Sequence, residues 1–311
     1  MKKVLAVVLC LLMVISLAAC GGPKGLEVAQ GNTTHNANNA FGAAVTDGEN
    51  IYFELYDGIF CLDKEGNIKT VLKENGYRTG FLLDGDTLYY EEDDAYYKIH
   101  VNGGVAEKVF APEMKNKDDI LATINLVDDK LYYEILGEKD SVPYVYDLKK
   151  NKVTELDHRL SLAVFTKEGI WSMSEDENGY YLWGDGAKAF PVENFFLKFV
   201  SGDYYYGFLM EDGEGYLSRV KKNSKDAEKL LKLDYAFDID TNGTYIFYVE
   251  DDTLYRCDMD GKNLSKIYMG MTITKSFYTL NDRILVADIK DMDSVLLMDV
   301  NGQNQEELKA N

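Results

Sequence analysis

Carboxylates are the residues of this chain with the most to offer chemically. Paired carboxyl groups cleave glycosidic bonds, one as acid and one as base or nucleophile. Clustered ones attract cations or basic partners. The chain has 53 Asp and Glu against 33 Lys and Arg, a net charge of −20. Nucleic acid is excluded as a partner, because its phosphates demand a basic surface. Other catalytic sets are missing. Only three histidines occur, His35, His100 and His158, and no Ser, His and Asp set stands out. Zinc-binding spacings are absent. Gly213-Glu214-Gly215 lacks the lysine of a phosphate loop. Asp258-Met259-Asp260-Gly261 lacks the further ligands and closing Glu of a calcium loop, so it reads as a turn.

The elements that must position these groups follow from a repeat. A hydrophobic residue followed by aromatic or large apolar ones recurs at Ile51-Tyr52-Phe53, Leu88-Tyr89-Tyr90, Leu131-Tyr132-Tyr133, Ile170-Trp171-Ser172, Tyr204-Tyr205-Tyr206, Ile246-Phe247-Tyr248 and Ile284-Leu285-Val286. Successive copies stand 34 to 43 residues apart. A period near forty carried by strand-type segments is the signature of a β-propeller. Each unit reads as four strands, A to D from the axis outward. In the second unit they are residues 79–83, 87–91, 96–100 and 106–110. In the sixth they are 235–240, 245–249, 254–258 and 264–268. Asp47-Gly48, Asp84-Gly85 and Asn242-Gly243 are hairpin dipeptides between A and B. The fifth unit is least regular: residues 224–231 suit a helical turn as well as strand D, and their place in the repeat favours the strand. The expected fold is all-β, a seven-bladed β-propeller of four-stranded antiparallel blades, preceded by a signal peptide and a short tether.

In such a ring all B-to-C turns emerge on one face. These turns contain Glu91, Glu92, Asp93 and Asp94, then Glu175, Asp176 and Glu177, then Glu211 and Asp212, then Glu250, Asp251 and Asp252. Asp57, Glu138, Asp140, Glu214, Asp291 and Asp293 belong with them, against only Lys139 and Lys290. The opposite C-to-D turns hold Lys64, Lys149, Lys150, Lys221, Lys222 and Lys262. One acidic face is therefore expected, as a site for a basic partner or for loose collection of divalent cations; no cofactor is expected. The plainer reading is that the turns of an acidic protein are acidic. Strand A supplies polar residues to the axis: Thr79, Asn125, Lys198, Asp238 and Asp240. Their ordinary role is to hydrate the channel.

Residues 1–19 read as a lipoprotein signal peptide, a basic head followed by an apolar run too short to span a membrane stably. Leu17-Ala18-Ala19-Cys20 resembles a bacterial lipobox, which implies cleavage before Cys20 and lipidation of its thiol. Residues 20–40 form the lipidated cysteine and flexible tether, and 41–311 the propeller. The expected location is extracytoplasmic, anchored to the bacterial membrane through lipid on Cys20. Cys61 and Cys257 fall in the first and sixth units, too far apart to bond, and read as small apolar strand residues. Trp171 occupies the aromatic position of the repeat, which favours a core role over a sugar platform shared with Trp183.

The unit resembles the repeat of low-density-lipoprotein-receptor-type propellers. It is also similar to an uncharacterised family of bacterial surface proteins, whose entry segment is like Gly31-Asn32-Thr33-Thr34-His35-Asn36-Ala37-Asn38-Asn39 followed by Phe41-Gly42-Ala43. The receptor repeat has Trp-Thr-Asp in strand B where this chain has Phe53-Glu54-Leu55 or Tyr90-Glu91-Glu92. The bacterial family offers no catalytic residues to carry over. The expected function is a lipid-anchored, non-catalytic binding or scaffold module for a protein or an envelope glycan. The alternative is an enzyme acting on envelope carbohydrate through its axial carboxylates.

Overall fold

The computed structural model describes residues 44–138, 141–157, 159–160, 163–166, 169–173, 180–183, 188–233, 236–272, 275–280, 282–288 and 290–309. The signal peptide, Cys20, the tether and the entry segment fall in residues 1–43, outside these. The described residues form strands and turns without a helix. The strands make seven four-stranded antiparallel sheets, each from consecutive strands of the chain. The second comprises Thr79–Asp84, Thr87–Glu92, Ala95–His100 and Glu107–Phe110. The sixth comprises Ala236–Thr241, Tyr245–Glu250, Thr253–Asp258 and Ser265–Met269. The uncertain segment of the fifth unit is the strand Ala227–Leu233.

The expectation of a seven-bladed propeller needs correction to six full blades. Six of the sheets are full blades with outer strands of at least four residues. The fourth has only the two-residue outer strand Lys188–Ala189. An outer strand has a neighbour on one side only, and the sequence here is poor in strand formers, with Gly184 and Gly186 just before it.

Strand B explains why the repeat has no polar face. Side chains alternate across a strand. Ile51, Phe53 and Leu55 enter the core shared with the seventh sheet, and Tyr52 enters the core shared with the second. In the sixth unit Ile246 and Tyr248 face the fifth sheet, while Phe247 and Val249 face the seventh. The core is thus a series of layers between neighbouring sheets. The layer of Phe53, Tyr278, Leu285 and Leu297 joins the last sheet to the first and closes the ring. Each fully buried large side chain in these layers contributes about 1.5–3 kcal/mol. Trp171 is one of them, edge-on to Phe190 and Tyr205; the side chain of Trp183 is outside the described set. Cys61 and Cys257 are free, buried thiols in different layers.

Candidate functional site

Backbone conformation decides much of the acidic face. Glu92 pairs with Ala95, and Glu250 with Thr253, leaving two-residue turns. Asp93 and Asp94 have φ of 48° and 56°, and Asp251 and Asp252 have 46° and 57°. Asp212 and Gly213 have 54° and 80°. Hairpin turns with two left-handed residues match the twist of the strands, and Asn, Asp and Gly tolerate that conformation best. The pair Asp128 and Asp129, with φ of 49° and 59°, does the same on the opposite face, between A and B. The pairs Asp93-Asp94, Asp128-Asp129 and Asp251-Asp252 are therefore turn residues on either face.

Several acids also have partners. Glu211 is bound to Lys229, and Glu214 to Lys232 at 2.6 Å. Both lysines come from the outer strand of the fifth sheet. Asp93, Asp94, Asp212, Asp251 and Asp252 are exposed; Glu91 and Glu250 are half-buried. Glu175, Asp176 and Glu177 lie outside the described residues.

Glu92 belongs to a buried ionic group that the sequence did not single out. Its Oε1 is 2.7 Å from Nη2 of Arg78, whose side chain is fully buried. The Arg78 backbone N–H donates to Glu54 Oε1, from strand B of the first sheet. Burial pushes Glu54 up to about 8, against the pull of the Arg78 N–H and guanidinium, with Glu92 raising it further. Burial likewise raises Glu92, opposed by Arg78. Among the described residues, Nε and Nη1 of Arg78 have no hydrogen-bond partner, nor does the Tyr90 hydroxyl beside it. Gly76 packs against this group: a Cβ there would stand 2.5 Å from Glu92 Oε1 and 3.1 Å from Arg78 Nη2.

The Glu54 contact has counterparts. Glu134, at the same place in the third unit, is buried and accepts the Leu160 N–H. Ser172 in the fourth donates to the Arg159 carbonyl. Glu54 and Glu134 thus hold the crossover that leaves their own sheet, and Ser172 holds the one that enters its sheet. The available signal was a Glu inside an otherwise apolar strand, as in Phe53-Glu54-Leu55 and Tyr133-Glu134-Ile135.

The axial candidates separate. Asn125 is wholly buried, its Oδ1 accepting the Leu126 N–H at 2.8 Å. Lys198 is the extra residue of a bulge between Leu197 and Phe199, and Asp238 follows a similar irregularity after Ala236. Bulges re-aim side chains. Lys198 and Asp238 lie deep among protein atoms yet keep some accessible surface, as residues lining a narrow channel do. Burial and the Asp240 charge push Asp238 up to about 7, while Lys198 pulls it down. Burial lowers Lys198, opposed by Asp238. Asp240 accepts the Thr279 hydroxyl at 2.5 Å and the Thr241 N–H at 2.7 Å. The arrangement can hold or release a proton near neutral pH. No group of three metal-ligating side chains is present among the described residues.

The C-to-D turns are self-contained. Asp63 Oδ1 accepts the Glu65 and Asn67 N–H groups, and Asp299 Oδ1 those of Asn301 and Gln303. The B-to-C face differs in what accompanies its acids. Tyr56 at a B-to-C turn and Tyr77 in the following crossover are 50% and 52% exposed. Ile120, Met210 and Met269, at strand ends on the same face, are exposed as well.

No family model and no curated protein matches the sequence. Solved structures match in fold. The extracellular domain of the putative one component system BT4673 from B. thetaiotaomicron gives a TM-score of 0.51 at 13% identity, over 92% of this chain and 46% of that one. TolB from Acinetobacter baumannii gives 0.46 at 13% identity, over 85% and 64%. A chain of a nidogen/laminin complex gives 0.41 at 10% identity, over 84% and 93%. At these identities the likeness concerns the propeller fold alone.

Proposed function

We propose that the chain is an extracytoplasmic binding propeller, anchored to a bacterial membrane through lipid on Cys20, that docks a protein partner on the face of its B-to-C turns. The observation that carries this is the company of the acids. On that face exposed Tyr56, Tyr77, Met210 and Met269 accompany exposed carboxylates, whereas the exposed apolar residues on the C-to-D side are the aliphatic Val105, Val153 and Leu264. Aromatic residues and methionine are enriched where proteins meet, and charge steers the encounter. The test is capture from an envelope extract by the full chain, compared with the quadruple variant Asp93→Asn, Asp94→Asn, Asp251→Asn, Asp252→Asn. A partner protein retained by wild type, released by salt and depleted from the variant is expected. Equal retention by both proteins overturns the face assignment. Anchoring is tested separately: Cys20→Ala should leave the membrane fraction or remain unprocessed.

A second reading, cleavage of an envelope glycan by the axial carboxylates, is favoured by the raised Asp238 beside Asp240. It predicts release of reducing sugar from envelope glycan that is abolished by Asp238→Asn.

A further inference from the structure

The B-to-C face has one place where aromatic surface, fixed backbone and surrounding charge coincide. Tyr56 and Tyr77 are brought together there by the chain: the Gly76 N–H donates to the Tyr56 carbonyl at 3.0 Å. The Tyr56 N–H in turn donates to the Met292 carbonyl of the seventh sheet at 3.0 Å. Two hydrogen bonds thus hold the Tyr56 backbone to the crossover that carries Tyr77 and to the seventh sheet. A surface fixed before binding loses little entropy on binding.

We infer that the Tyr56 and Tyr77 ridge is the anchor point of the docking face, and that it takes an arginine or lysine side chain from a basic segment of a partner polypeptide. This rests on the docking reading above. Carboxylates flank the ridge on three sheets: half-buried Asp57 beside Tyr56, exposed Asp93 and Asp94 on the second, and exposed Asp291 and Asp293 on the seventh. Tyr77 lies within the field of Asp288. The nearby guanidinium of Arg78 is buried and committed to Glu92, so it does not neutralise the surface.

A cation over a tyrosine ring, near carboxylates, is held by the ring quadrupole and the field together. The chain already uses this chemistry within itself. Arg219 lies over Tyr204 at 4.6 Å and is also bound to Glu228. Lys229 lies over Tyr216 at 4.1 Å and is also bound to Glu211. The ridge offers the same combination outward. A neutral glycan would stack on tyrosine but gain nothing from the charge.

The probe is a fluorescein-labelled decapeptide of alternating Arg and Ala, with a citrulline-for-arginine version as the uncharged match. Chitohexaose serves as the neutral glycan. Binding to the full chain is followed by fluorescence anisotropy, with glycan binding by calorimetry. The expected result is binding of the Arg peptide that weakens with salt, at least tenfold weaker binding of the citrulline peptide, and at least tenfold loss in Tyr56→Ala/Tyr77→Ala. The Tyr56→Phe/Tyr77→Phe variant should retain binding, because the ring and not the hydroxyl is used. Both side chains are half exposed, so a thermal melt matching wild type confirms that the alanine variant is folded. Undiminished binding by the folded alanine variant, with loss in the quadruple Asp→Asn variant, overturns the anchor and leaves the docking face standing. Absence of Arg-peptide binding to wild type overturns both. Salt-independent binding of chitohexaose that depends on the tyrosines overturns the polypeptide in favour of a glycan.

Discussion

The two faces of the propeller are built from the same turn residues and end in opposite electrostatic states. In the C-to-D turns each aspartate folds back on its own loop. Asp63 is held well below the usual carboxylate range by the Lys69 ammonium and by the Asn67 N–H. The Lys150 N–H and ammonium lower Asp147. Asp299, raised by partial burial, is brought down on balance by the N–H groups of Gln303 and Asn301. Two carboxyls under the B-to-C face go the other way, burial raising Glu54 and Glu92, while Glu214 at its surface is lowered by Lys232. Acidity in the sequence therefore stands for two different things. On one face it is charge consumed by local hydrogen bonds. On the other it is an exposed layer of left-handed turn aspartates over a buried ionic group, with aromatic surface between.

The sharpest way to break this comparison is to remove the cation from the buried group. Arg78→Met leaves Glu54 and Glu92 without their guanidinium and should cost about 3–5 kcal/mol in urea unfolding. Lys69→Met, its counterpart at Asp63, should cost far less, because Lys69 is exposed and its pairing is screened by solvent. Equal losses would end the distinction between the faces.

Turn residues come next. If Asp251 is chosen for its left-handed backbone, Asp251→Val should lose about 1–2 kcal/mol. Asp251→Asn, which tolerates the same φ, should stay within about 0.5 kcal/mol. A destabilised Asn variant would mean that the charge itself supports the fold.

The smallest effect is in pH. Glu54 and Asp238 have folded pKa values of about 8 and about 7, above their ordinary values. Between the ordinary and the folded values the native chain binds more protons than the unfolded one, so stability falls as pH rises through this window. The lowered Asp63, Asp147 and Asp299 have the opposite sign: their contribution is present above the ordinary aspartate pKa and is lost as acid is added. A stability maximum near pH 4–5 follows, about one unit either way. Even about 1 kcal/mol lost by pH 8 would lower Tm by about 2–4 °C. The double variant Glu54→Gln/Asp238→Asn should flatten that decline. A wild-type Tm that rises from pH 5 to pH 8 would contradict the assignment of these two groups.

The strand order was legible because each unit declares itself locally. A strand buried on both faces must be apolar at every position, and Ile246-Phe247-Tyr248-Val249 is. Hairpin dipeptides such as Asn242-Gly243 mark where one strand gives way to the next. The acidic turns were legible for the same reason, although their aspartates proved to be backbone choices as much as charges. The burial of Asn125, by contrast, was not legible: its strand has one extra residue between the pairings with Tyr133 and Tyr132, and such a bulge redirects side chains in a way that composition does not record.

What the sequence determined by itself was period, strand, turn and net charge, since these follow from side-chain alternation, φ preference and composition over a few residues. Only the tertiary structure decided that Glu92 is an ion-pair partner and not part of the solvated face. Glu54, Gly76, Arg78 and Glu92 come from a strand, a crossover and the end of another strand. They meet only when the first two sheets pack. Packing likewise brings Tyr77 to Tyr56, twenty-one residues away in the chain, and raises Asp238 by burying it near Asp240 and Lys198. Burial and long-range charge act between residues that the chain keeps apart, and their effect exists only once the ring has closed.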